Sequence, residues 1–69
     1  MKKIPKIDII KPEIIQFLET MPMPVTSSYV ARNLRLYPYQ TINALNSLVN
    51  DNKVIKVTFE NHVYYATKR

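Results

Sequence analysis

Between Thr26 and Ala66 the apolar positions change their spacing once. Val30, Ala31 and Leu34 recur at helical intervals, as do Ile42, Leu45, Leu48 and Val49 after them. Ile55, Val57 and Phe59 then alternate with polar residues, and the run Val63-Tyr64-Tyr65-Ala66 follows. A switch from period 3.6 to period 2 within about 40 residues predicts two helices that hand over to a β-hairpin.

Upstream, Ile14, Phe17, Leu18 and Met21 share one stripe, and Pro12 suits a first helical position, where a missing N–H costs nothing. The spacing predicts a first helix over 12–20, ended by Met21-Pro22-Met23-Pro24 because proline disfavours helix in the residue before it. Thr26 is placed as the N-cap of a second helix over 27–34, and Arg35, Leu36 and Tyr37 form the turn. Pro38 opens a third helix over 38–51, and a hairpin follows over 54–66 with its connection near Glu60-Asn61. Residues 1–10 mix lysines with four isoleucines and Pro5, which predicts a basic arm or an extended strand against the hairpin. The expected architecture is α+β: one domain with three helices and a two-stranded C-terminal hairpin.

Composition sharpens this picture. The 69 residues contain no cysteine, so neither disulfides nor cysteine-bound zinc can hold the fold, which must rest on apolar packing. Glycine is also absent, although tight turns need residues that tolerate positive φ. Asparagine is the next most tolerant residue, and Asn52 and Asn61 stand where glycine would be expected. His62 is the one histidine and the five acids are scattered, so no catalytic or metal-binding constellation is legible. The expectation is a non-enzyme with no cofactor and no metal. No apolar run reaches the ~20 residues of a membrane span, and a cytoplasmic protein without membrane association is expected.

The formal net charge is +5, with positive residues near both ends and around the second turn, while the first helix is acidic. Such an arrangement suits a polyanion approached from one side. On a helical wheel centred on Ile42, the third helix gathers Ile42, Leu45, Leu48 and Val49 on one side. Gln40, Asn43, Ser47 and Asn50 fall opposite, with Tyr39 and Ala44 at the edges, so this face is uncharged and amide-rich. Amides pair in two places with the N6 and N7 edge of adenine, and small residues let a helix enter the major groove closely. An amide-rich face with no acid at its centre is what base readout would want. Phosphate contacts are expected from Thr26, Ser27 and Ser28 at a helix N-terminus, and from Arg32, Arg35, Tyr37 and Lys56. The hairpin tip, Glu60-Asn61-His62, carries an acid and no arginine, which points to modest, shape-weighted or A·T-leaning affinity.

At this point the run from Pro24 to Ile55, PVTSSYVARNLRLYPYQTINALNSLVNDNKVI, resembles the winged helix-turn-helix domains of small bacterial, archaeal and viral transcription regulators. In that superfamily a Thr or Ser opens helix two, an alanine sits at its core, and Leu-x-x-Leu runs along helix three. Here these positions are Thr26, Ala31, and Leu45 with Leu48. Asn52 stands where the family usually ends helix three with glycine, and the tip lacks the family's basic residues. The resemblance implies double-stranded DNA as partner, base contacts from helix three at Tyr39, Gln40, Asn43, Ala44 and Ser47, and a role in transcription regulation. Related domains in ribosomal proteins and polymerase subunits bind RNA or protein, so an interaction module within a larger assembly is the alternative. A homodimer through Ile4, Ile7, Ile9 and Ile10 is a further expectation.

Overall fold

A computed structural model describes residues 7–68. The elements run α1 (Ile7–Glu19), α2 (Ser27–Leu34), α3 (Pro38–Asn50), β1 (Val54–Phe59) and β2 (His62–Thr67). Ile10, Ile14 and Leu18 are the buried stripe of α1, one residue per turn. They meet Val30 of α2, Ala44, Leu45 and Leu48 of α3, Val54 of β1 and Tyr65 of β2 in one core.

The first helix begins five residues before the position expected, so residues 7–10 are helical rather than arm or strand, and Pro12 lies inside α1. An interior proline forfeits the hydrogen bond to residue i−4, at about 3 kcal/mol. Against this, the earlier start seats Ile10 in the core at 1% exposure and extends the stripe of Ile14 and Leu18 by one turn. The expectations that fall on residues 1–6, including a contact through Ile4, lie outside the described residues. Val25 in the α1–α2 linker meets the hairpin. It exchanges two backbone hydrogen bonds with Tyr65, at 2.7 and 3.0 Å.

The turns show how a chain without glycine closes. The Thr26 hydroxyl accepts the Tyr29 N–H at 3.2 Å and caps α2. Arg35 ends that helix at φ 58, and the Leu36 N–H returns to the Ala31 carbonyl at 2.9 Å. After α3, Asn52 takes φ 62 while the Lys53 N–H returns to the Leu48 carbonyl at 2.9 Å. Both are helix ends that need a left-handed residue. Glu60 and Asn61, at φ 50 and 67, join the two strands. Two positive φ values in a two-residue connection match the twist of paired strands. The roles read for Asn52 and Asn61 hold; Arg35 and Glu60 share that conformation.

The strands pair antiparallel with Lys56 opposite Tyr65, Val57 opposite Tyr64 and Phe59 opposite His62. Val54 and Tyr65 face the core at 2% and 5% exposure. Alternation then sends Ile55, Val57 and Phe59 to the opposite, solvent-facing side.

Candidate nucleic-acid interface

The orientation of α3 decides which side chains it offers. Gln40, Thr41, Ala44, Leu45 and Leu48 are buried, so the solvent face carries Tyr39, Ile42, Asn43, Asn46 and Asn50. The helix is turned by about 80° from the wheel drawn on its large apolar residues, at 100° per residue. Ile42, expected inside, is 41% exposed, while Ala44 and Gln40, expected outside, are at 0% and 5%. The reason is packing. This helix lies against α1, α2 and β1 together, and a face so enclosed favours small residues that allow close approach. The buried Thr41 hydroxyl donates to the Tyr37 carbonyl at 3.1 Å, which removes the cost of hiding it.

Ser47 is drawn away from the exposed face by α1. It accepts a hydrogen bond from Lys11 Nζ at 3.0 Å, and the same ammonium contacts Asp51 at 3.2 Å. Of the five expected base-contacting residues, Tyr39 and Asn43 stand on the exposed face; Gln40 and Ala44 belong to the core, and Ser47 to the α1–α3 contact. Asn50, expected on the outward face, is exposed there, and Ile42 and Asn46 join it. The signal for Asn46 was in the sequence, because Asn43, Asn46 and Asn50 recur at i, i+3 and i+7, which is itself a helical stripe.

At the start of α3, Tyr37 and Tyr39 stack with ring centroids 5.9 Å apart and planes 21° from parallel. Both rings are exposed and flank Pro38, the first residue of the helix. Arg32 is exposed on α2, and Arg35 is exposed at the turn. Ser28 is exposed at the start of α2, Ser27 is half-buried, and Thr26 is already engaged as the cap. Lys56 is exposed on β1. Among the described residues the salt bridge is Lys11–Asp51, so Arg32, Arg35, Lys53, Lys56 and Lys68 have no acidic partner there. Of these cations, Arg35 stands in the turn that leads into α3, close in the chain to the uncharged exposed face of that helix. Among the described residues no three His, Cys, Asp or Glu side chains converge as a metal site would require.

Three helices, a tight turn between the second and third, and an antiparallel hairpin after them define a winged helix-turn-helix domain. Solved structures of the same architecture include two Zalpha domains. One is the apo-Zalpha domain of zebrafish PKZ, with TM-score 0.81 and 19% identity, over 88% of this chain and 94% of that one. The other is the Zalpha domain of Carassius auratus PKZ in complex with Z-DNA, with TM-score 0.78 and 18% identity, over 90% and 97%. At these identities the likeness is one of fold. No family model and no curated protein matches the chain.

Proposed function

We propose that this protein is a small DNA-binding domain that lays α3 against a duplex and holds the flanking phosphates with Arg32, Arg35 and Lys56. The observation that carries the reading is the exposed, uncharged face of Tyr39, Asn43, Asn46 and Asn50, in a domain whose exposed Arg32, Arg35 and Lys56 have no acidic partner among the described residues. Transcription regulation through the major groove is the finer form of this proposal, supported by amides that suit adenine edges. Recognition weighted to duplex shape is equally in keeping with a face that lacks arginine and lysine. The Zalpha domain of similar fold that is bound to Z-DNA makes a left-handed duplex the first alternative shape to test.

The experiment is fluorescence anisotropy of labelled B-form and left-handed duplexes across a salt series. Binding whose log K falls by about 0.9 per phosphate contact against log salt supports the proposal. A preferred B-form sequence then favours the regulator reading, and preference for the left-handed duplex favours shape recognition. Asn43→Ala is expected to cost roughly 1–3 kcal/mol at preferred sites, and Arg35→Ala to weaken binding to all sequences alike. No binding to either duplex at low salt overturns the proposal. A second reading, a protein-interaction module, rests on the apolar solvent-facing side of the hairpin.

A further inference from the structure

Ile55, Val57 and Phe59 are 41%, 39% and 63% exposed along one strand. The sheet has two strands in the order β1-β2, and β2 uses its far side to bond Val25. Among the described residues nothing pairs with the outer edge of β1. An unpaired, regular edge with an apolar side is a template for another strand.

The direction of its free backbone groups follows from the register. Tyr65 directs both its N–H and its C=O toward Val25, away from β1. Its opposite number, Lys56, therefore belongs to a non-hydrogen-bonded pair and points its own N–H and C=O outward. By alternation Thr58 does the same.

We propose that β1 pairs antiparallel with β1 of a second copy of this chain, about a twofold axis at Val57. In that register Lys56 faces Thr58 of the second copy and Thr58 faces its Lys56. Each pair exchanges two N–H···O bonds, giving four in all. Val57 faces its own counterpart and Ile55 faces Phe59, so apolar side chains meet apolar across the seam. The neighbouring registers are worse. An axis at Lys56 sets two ammonium groups opposite one another. An axis at Thr58 carries Lys56 to Glu60, whose φ of 50 ends the ladder, and leaves two bonds. The match of the strand to itself is what selects a second copy as occupant.

The seam is one strand long, well below the roughly 1,000 Å² expected of a stable interface, so association is weak. Two chains of +5 also repel, and salt screens that repulsion. Self-association is therefore expected to strengthen with salt, whereas binding to a polyanion weakens. This contrast separates the present inference from the proposed function.

The test is single-cysteine crosslinking of the full chain, which has no cysteine of its own. Residues of a non-hydrogen-bonded pair stand about 4.5 Å apart at Cα, within disulfide reach. Two copies of residue 55 would be offset by four residues, about 13 Å, and out of reach. Under mild oxidation Val57→Cys is expected to form at least tenfold more crosslinked dimer than Ile55→Cys. Sedimentation at roughly millimolar protein in high salt is expected to show dimer for the unaltered chain and monomer for Val57→Lys. Equal crosslinking of the two cysteine variants, or a monomer before any substitution, would overturn the proposal. The second result would leave the edge to segment 1–6 or to another protein.

Discussion

Arg35 holds a left-handed backbone at φ 58, a conformation that disfavours any residue with a Cβ by about 1–2 kcal/mol. Its guanidinium stands exposed at the turn between α2 and α3. Arg35→Gly is therefore expected to raise stability by about 0.5–1 kcal/mol, allowing for glycine's greater freedom when unfolded, while duplex affinity falls. Thermal melts and anisotropy on the same variant would check the two opposite changes. Glu60→Asn at the hairpin tip, where φ is 50, should stabilise by a similar amount with no change in the fold. At the same scale, burial raises the Tyr65 hydroxyl above its ordinary pKa of 10.0. The unfolded chain therefore ionises first as pH rises. Stability from this group is complete below pH 10 and is lost from there up through the folded value. Urea unfolding over an alkaline series should show a shallower decline for Tyr65→Phe. Asparagine's tolerance of positive φ made Asn52 and Asn61 legible in the sequence. Arg35 and Glu60 were not, because their side chains do not signal that conformation.

Among the elements, α2 and the hairpin were legible almost to the residue, since a cap, a turn and an alternating run each leave local signals. The start of α1 was hidden by Pro12, a local signal overruled by the burial of Ile10. The rotation of α3 was hidden for a different reason. Hydrophobic size indicates which residues gain from burial, but Ala44 and Thr41 are inside because they fit between neighbours. This orientation is testable with two substitutions on the same helix. Ala44→Leu should destabilise by about 1–3 kcal/mol through overpacking. Asn46→Ala, on the exposed side, should leave the melting free energy within about 0.5 kcal/mol and weaken duplex binding. If Ala44→Leu melted like the unaltered protein, the placement of α3 would be wrong.

For the whole molecule, the linker residue Val25 carries a consequence of its own. Its paired bonds with Tyr65 fasten β2 to the segment that leads directly into α2. The hairpin therefore cannot swing relative to the helix pair without breaking both bonds and exposing the Tyr65 ring. Swinging and unfolding become nearly the same event. The amide protons of Val25 and Tyr65 should accordingly exchange with deuterium among the slowest in the chain, near the rate set by global opening. An incoming partner meets a hairpin already aimed, and little of the binding free energy goes into orienting it.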